Sequence, residues 1–225
     1  MQRHSQFSVI IPALNEENNI ERAIRSVSWA DEVVVVDGGS RDKTVDIAGT
    51  HARVLHAEMG RGRQLRKGGE ETTGKILLFL HADSWLSEQA TEELKALVAD
   101  GENQPVFGCF RQRIDDNRQR FRILESGNAF RAAILQLPYG DQAIFVDRKT
   151  YEKVGGFDDV PLMEDVMLSR RLRRICRPTL LTGPVHLSAR RWTTNGWIRQ
   201  TLRNWALVTA FSLGVSPARL MEWYR

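Results

Sequence analysis

The sequence predicts an α/β protein built on a mainly parallel sheet wrapped by helices. Two observations predict it. Apolar runs of strand length, Val9-Ile10-Ile11, Val33-Val34-Val35-Val36 and Ile76-Leu77-Leu78-Phe79-Leu80, carry no polar alternation, which is the pattern of strands buried on both faces. Segments of helical periodicity separate them, and the resulting β-α-β-α-β-α-β order builds a parallel sheet through right-handed crossovers. A third observation narrows the class. No G-x-G-x-x-G follows the first strand, and no G-x-x-x-x-G-K-[ST] loop occurs anywhere, so the two common nucleotide folds are disfavoured.

Taken in order, Phe7 to Pro12 reads as the first strand, ended by Pro12 because proline cannot donate to a ladder. Asn15 is the expected N-cap of a helix with Glu16 and Glu17 in its first turn. Ile20, Ile24 and Val27 form the inner face of that helix, which runs to about Trp29. Glu32 to Asp37 is the second strand. The loop from Gly38 to Thr44 leads into a helix through Ala48, and Arg53 to Ala57 is the third strand. Gly60-Arg61-Gly62-Arg63-Gln64 opens a basic helix to about Thr72. The run from Lys75 then stops at His81-Ala82-Asp83-Ser84. Gln89 to Asp100 is helical, with Leu94, Leu97 and Val98 inward. Val106 to Arg113 is a strand with a kink expected at Gly108-Cys109. Residues 115–135 are charged, then helical and amphipathic. The turn Tyr139-Gly140-Asp141-Gln142 precedes the strand Ala143 to Val146. Gly155-Gly156-Phe157 breaks the chain again, and Glu164-Asp165 opens a helix with Leu168, Leu172 and Ile175 inward. There is no internal repeat or low-complexity linker, so one domain is expected.

A chain of 225 residues with 42% apolar and 27% charged residues has the composition of an ordinary globular domain. Its net charge of +4 and pI near 9.3 suit an anionic ligand such as a nucleotide diphosphate, or an anionic membrane surface; nucleic acid is not expected as a partner. Cys109 and Cys176 have no C-x-x-C partner, which argues against a zinc site or a disulfide framework and points to a reducing cytosol. The N-terminus lacks a signal-peptide core, and the apolar stretch from Trp205 to Val215 is too short to span a bilayer. From Ser188 onward arginine and tryptophan mix, with Ile198, Leu202, Trp205 and Val208 at helical spacing. Such a helix lies in a membrane interface, or packs on its own domain or on the partner in a homodimer, and the sequence leaves these readings open.

In open α/β sheets, ligands bind beyond the carboxyl ends of the strands. Asp37, Asp83 and the Glu164-Asp165 pair all fall at strand or turn ends. Magnesium or manganese is held by one or two carboxylates together with substrate phosphates. A hydroxyl nucleophile needs a carboxylate to take its proton. Asp165 stands in the first turn of a helix, where the dipole favours its ionised form. Each acid also has an ordinary reading as a strand-end cap or an N-terminal helix charge.

Several stretches together resemble glycosyltransferase family 2 enzymes of GT-A fold: Ser8-Val9-Ile10-Ile11-Pro12-Ala13-Leu14-Asn15-Glu16, Val34-Val35-Val36-Asp37-Gly38-Gly39-Ser40, Leu78-Phe79-Leu80-His81-Ala82-Asp83, Gly155-Gly156-Phe157 and Met163-Glu164-Asp165. The resemblance covers nearly the whole chain. Within the family it is most similar to the short stand-alone members named after radical-SAM/selenodomain neighbours, which share the His-Ala-Asp wording. The resemblance implies a Rossmann-like, mixed and mainly parallel sheet in a transferase domain at 1–187, with a nucleotide half to about 100 and an acceptor half from 101. A helical tail at 188–225 follows. It implies that Pro12, Ala13, Asn15 and Glu16 line the nucleoside pocket and that Asp37 binds the base or ribose edge. Asp83 matches the last acid of the D-x-D motif and holds a divalent ion, Mn2+ or Mg2+, against the donor diphosphate. Asp165 matches the general base of the family's Glu-Asp pair, with Glu164 grouped beside it as catalytic, and Arg61 or Arg63 reaches the nucleotide.

Two departures from the family pattern matter. His81 stands where the first acid of D-x-D usually stands; imidazole binds a metal or a ribose hydroxyl but removes one negative charge. Ser188-Ala189-Arg190-Arg191-Trp192 is similar to the Q-x-x-R-W motif with Ser for Gln, so Arg191 and Trp192 are candidates to clamp the diphosphate or the acceptor. His186 is a candidate further metal ligand or an ordinary loop histidine. The expected activity is inverting, metal-dependent transfer from a nucleoside diphosphate sugar to a hydroxyl or lipid phosphate acceptor, in the cytosol, with the tail touching the inner face of the membrane. The alternatives are a nucleotidyltransferase, opposed by the acidic stretch after the first strand, and a non-catalytic nucleotide-sugar-binding protein.

Overall fold

A computed structural model describes residues 5–100, 104–190 and 197–224. Among them, strands β1 (Phe7–Ala13), β2 (Glu32–Asp37), β3 (Arg53–His56), β4 (Ile76–Phe79), β5 (Ser84–Leu86), β6 (Phe107–Ile114), β7 (Ile144–Asp147) and β8 (Thr179–Leu187) form one sheet. Its order is β3-β2-β1-β4-β7-β6-β8-β5. The first four strands are parallel. β7 then runs antiparallel to both β4 and β6, β8 is parallel to β6, and β5 closes the edge antiparallel to β8. The fold is therefore the mixed α/β sheet of a GT-A protein.

Period-two alternation sorts the apolar runs between two cores. Val9, Ile11, Val35, Leu78 and Leu80 point to one face, where α1 (Ile20–Ser26), α2 (Thr44–Gly49) and α4 (Glu88–Asp100) cover them. Ile10, Val34, Val36, Leu77 and Phe79 point to the other, under α3 (Arg61–Glu71), α6 (Arg148–Lys153) and α7 (Glu164–Leu172). Each of these buried aliphatic side chains stabilises the fold by roughly 1.5–3 kcal/mol relative to exposure. Helix α5 (Gln119–Ile134) packs on β6. Helices α8 (Trp197–Ser212) and α9 (Pro217–Tyr224) return to α7 through a small cluster of Met163, Val166, Leu207 and Leu220.

Three expectations are corrected. Pro12 does not end β1; it stays in register opposite Val36. Ala13 and its odd-numbered neighbours bond toward β2, so the missing N–H of Pro12 faces the β4 side, where pairing has already stopped at Ile10. Asn15 is not a helix cap: it adopts a left-handed conformation (φ 54°), and α1 starts at Ile20. The irregularity in β6 lies between Phe110 and Arg111 rather than at Gly108. There β8 carries two extra residues, Thr182 and Gly183, whose backbone N–H groups donate to Glu93 (2.7 and 3.0 Å). Gly108 is glycine for another reason: a Cβ there would collide with the Thr179 carbonyl and the Phe145 ring.

Candidate active site

The turn His81-Ala82-Asp83 leaves β4 at the edge where the parallel strands end. Leu80 N–H donates to the Ile10 carbonyl (3.0 Å), and Ser188 N–H donates to the Asp83 carbonyl (3.1 Å), so the turn is pinned between β1 and the end of β8. His81 and Asp83 are 7% and 8% exposed. With Asp141 and Ser188 they line a small cavity. An adjoining cleft of about 120 Å³ is lined by Arg61, His81, Asp141 and Asp165. Gln200 and Asn204 of α8 border both spaces.

Glycine 140 joins the two halves of this site. Its N–H donates to Asp165 Oδ2 (2.7 Å), while Asp165 Oδ1 accepts from the Val166 N–H (2.7 Å). A Cβ on Gly140 would sit 2.9 Å from His81 Nε2 and 3.2 Å from Asp165 Oδ2, so imidazole and carboxylate meet over one bare backbone position. Backbone conformation is unusual on both sides: Met163, just before Glu164-Asp165, and Ala143, just after Gln142, have φ of 70° and 50°. Non-glycine residues held this way concentrate at functional sites.

The sequence marks Asp141 only as a turn residue. Because β7 is antiparallel to β4, with Phe79 opposite Ile144, the residues entering β7 arrive where β4 leaves. An acid just ahead of an apolar strand carries a usable signal only once that strand's direction is known.

The resemblance groups Glu164 with Asp165 as catalytic. Its carboxylate is 1% exposed and bonded to the Arg61 guanidinium, whose side chain is 34% exposed at the cleft. Burial pushes the Glu164 carboxyl up, opposed by Arg61. For Arg61, burial works against the charge, but Glu164 and then Asp165 outweigh it and hold the guanidinium ionised. Glu164 thus positions a cation at the site and does not itself line the cleft. Arg61→Met is expected to destabilise the protein by roughly 2–4 kcal/mol, somewhat under the range for a fully buried pair because Arg61 keeps solvent contact. The double variant Arg61→Met/Glu164→Leu should recover most of that loss in urea denaturation, since no uncompensated charge remains.

Arg63, two residues on, points elsewhere, as helical phase requires. It pairs with Glu58 and Asp159 on the surface, so Arg61 is the arginine of this helix that reaches the cleft.

The proposed nucleoside side lies along the same edge, at the ends of β1 and β2. Asp37 is buried, and its carboxylate accepts from the N–H groups of Gly39 (2.9 Å) and Ser40 (3.1 Å). It sits two strands from the His81 turn, outside the lining of the two spaces described. The loop after β1 is laced to the loop after β2: Asn15 N–H donates to Ser40 Oγ (2.9 Å), Arg41 N–H to Asn15 Oδ1 (2.9 Å) and Glu16 N–H to Thr44 Oγ1 (2.7 Å). Beneath Pro12 and Ala13, the buried Gln64 donates to the carbonyls of Ala13 (2.8 Å) and Val36 (2.7 Å), clipping both strand ends. Arg190 reaches over to Glu16 (2.8 Å). Arg191 and Trp192 lie outside the described residues. His186 is not aimed at this edge. It stacks on Trp85 (5.4 Å), on the face of β8 opposite its neighbour Leu187, which lines the cavity.

A parallel set of strands continued by an antiparallel second half, with the acids gathered where the parallel strands end, is the arrangement of a GT-A protein. Solved structures agree on the fold. Staphylococcus aureus TarS (residues 1–349) in complex with UDP superposes with a TM-score of 0.66 at 17% identity, covering 81% of this chain and 60% of that one. Glucosyl-3-phosphoglycerate synthase from Mycobacterium tuberculosis, in complex with Mn2+, UDP and glucosyl-3-phosphoglycerate, gives 0.55 at 23% identity, covering 82% and 70%. The chain belongs to glycosyl transferase family 2, whose profile matches residues 8–156. A PGL/p-HBAD biosynthesis glycosyltransferase of Mycobacterium bovis is 29% identical over 215 residues, covering 87% of this chain and 80% of the relative. The protein is a glycosyltransferase.

Proposed function

We propose that the protein moves a sugar, with inversion, from a nucleoside diphosphate sugar to a hydroxyl or lipid phosphate acceptor, and that Asp165 is the general base. The observation that carries this reading is the meeting of Asp165 with the His81–Asp83 turn across Gly140. It puts a proton acceptor beside the place where a leaving diphosphate would be held. The Gly140 N–H bond to Oδ2 and the Val166 N–H bond to Oδ1 keep that carboxylate in one orientation, so it needs no reorganisation to take the acceptor proton. Arg61, held by Glu164, supplies positive charge to the diphosphate side.

A divalent ion fits the donor set. Asp83 and Asp141 offer hard oxygens and His81 a nitrogen around one cavity. An ion held there would take its remaining ligands from the substrate phosphates. When bound, it would neutralise charge on the leaving diphosphate. Asp141 restores to this cavity the charge that His81 removes. Pro12, Ala13, Asn15, Glu16 and Asp37 are assigned to the nucleoside side, and Arg191 with Trp192 to the diphosphate or acceptor.

The same reading keeps a transferase domain to residue 187 followed by a basic aromatic helical tail, and groups the protein with the short radical-SAM/selenodomain-associated transferases through His81-Ala82-Asp83. It places the protein in the cytosol with its tail against the membrane. No helix among the described residues is long and apolar enough to cross one. Incubation with a panel of nucleoside diphosphate sugars and Mn2+ tests the activity. Release of nucleoside diphosphate is expected; release of pyrophosphate would make the protein a nucleotidyltransferase instead.

A further inference from the structure

The last 60 residues carry a charge pattern unlike the rest. Residues 166–225 contain 11 arginines, no lysine and one acid, Glu222, a net +10; residues 1–165 carry −6, giving the +4 of the whole. Within this basic segment, residues 204–218 hold no charged side chain. Helix α8 buries Leu207 against α7, yet its other face shows Leu202 and Trp205 at 59% and 68% exposure, and Leu213 just after it is 82% exposed.

Helix α5 presents a second apolar stripe. Ile123, Phe130 and Ile134 recur at helical spacing and are 75%, 62% and 61% exposed, with exposed Ser126, Gly127 and Ala133 between them. Arg131 does not interrupt this face, because its guanidinium lies over the Tyr139 ring (3.3 Å). Both stripes end at one stretch of the chain on and just after α7. Arg173 donates to the Leu135 carbonyl at the end of α5 (3.1 Å), and Arg170 donates to Ser212 Oγ at the end of α8 (2.7 Å). Residues three apart share a helix face, so the two apolar surfaces flank a single arginine-bearing turn.

We propose that α5, α8 and α9 form one face that docks on an anionic lipid bilayer, with Phe130 and Trp205 among the inserted side chains. The apolar stripes account for insertion, and the exposed Arg173, Arg174, Arg177, Arg199 and Arg219 account for attraction to anionic headgroups. A second copy of this chain fits the face poorly. A two-fold contact would bring these arginines against their own copies, with Glu222 the one exposed acid on the three helices to offset them. Gln200 and Asn204 of α8 border the spaces beside Asp83 and Asp165, so docking sets the cleft at headgroup depth. Only that last placement rests on the transferase reading.

Flotation of the full chain with vesicles tests the proposal. Wild type should bind vesicles of mixed phosphatidylglycerol and phosphatidylcholine, and bind phosphatidylcholine alone far less. Phe130→Glu/Ile134→Glu on α5 and Trp205→Glu/Leu213→Glu on and just after α8 should each lower partitioning by about tenfold or more. Arg174→Gln/Arg177→Gln, which leaves the apolar faces intact, should weaken binding and flatten its salt dependence. Failure of wild type to bind anionic vesicles, or binding unchanged in the α5 pair, overturns the proposal. So does a wild-type dimer in sedimentation velocity that the α5 pair turns into a monomer. Stabilisation by nucleoside diphosphates, measured on the same proteins, reports the transferase reading separately. Its absence alongside intact vesicle binding would defeat that reading and leave the docking face standing.

Discussion

Asp165→Asn is expected to lower sugar transfer by about 10²–10⁴-fold while leaving donor affinity within a small factor of wild type. The substitution keeps the size and shape of the side chain. The amide oxygen can still accept from the Gly140 N–H, so the bond that ties α7 to the turn ahead of β7 survives, while the local bond from the Val166 N–H to Oδ1 is given up. What disappears is the ability to carry a proton away from the acceptor. Single-turnover transfer at saturating donor isolates that step, and calorimetry with the donor's nucleoside diphosphate monitors binding. Wild-type turnover in this variant would remove Asp165 as the base and leave its carboxylate as a structural tie to Gly140. A matched loss of donor binding would instead mean that the carboxylate supports the donor site. The contrast with Gly140→Ala is informative, because a methyl group there presses on His81 and Asp165 together and should impair binding and transfer alike.

The parallel half of the fold was legible because its strands carry unbroken apolar runs, and Glu32–Asp37 forms the strand that its four consecutive valines predict. The antiparallel half was less so. β8 has Gly183-Pro184 in its middle and depends on Glu93 to satisfy its irregular backbone, and a carboxylate 89 residues away leaves no local trace. Motif spacing singled out Asp83 and Asp165, and both line the spaces at one edge of the sheet. It did not single out Asp141, whose place depends on strand direction. Nor did it separate Arg61 from Arg63, because that choice depends on where α3 begins and hence on helical phase. Gln64 was invisible for a further reason: a polar residue in a basic helix reads as solvated, whereas here it is 4% exposed and serves two strand-end carbonyls.

Asp83→Asn is expected to abolish the gain in nucleotide affinity that Mn2+ confers, a gain in the range of about 5–150-fold if the coupling is of ordinary size. Coupling of this kind is reciprocal: whatever factor the ion adds to nucleotide binding, the nucleotide must add to ion binding. Both sides can be measured without turnover, by titrating nucleoside diphosphate with and without Mn2+ and Mn2+ with and without nucleotide. Asp83 is 8% exposed at a turn fixed by backbone bonds, so the amide should leave the fold intact and change the charge alone. Asp141→Asn should reduce the coupling as well, because with His81 in place of an acid these are the two carboxylates among the described residues that line the cavity. Asp37→Asn should leave the coupling factor unchanged, since that carboxylate is spent on the Gly39 and Ser40 N–H groups two strands away. Equal coupling in wild type and Asp83→Asn would place the ion elsewhere. Loss in Asp83→Asn with full coupling in Asp141→Asn would confine the carboxylate share of the site to the His81–Asp83 turn, with the donor's phosphates supplying the remaining charge.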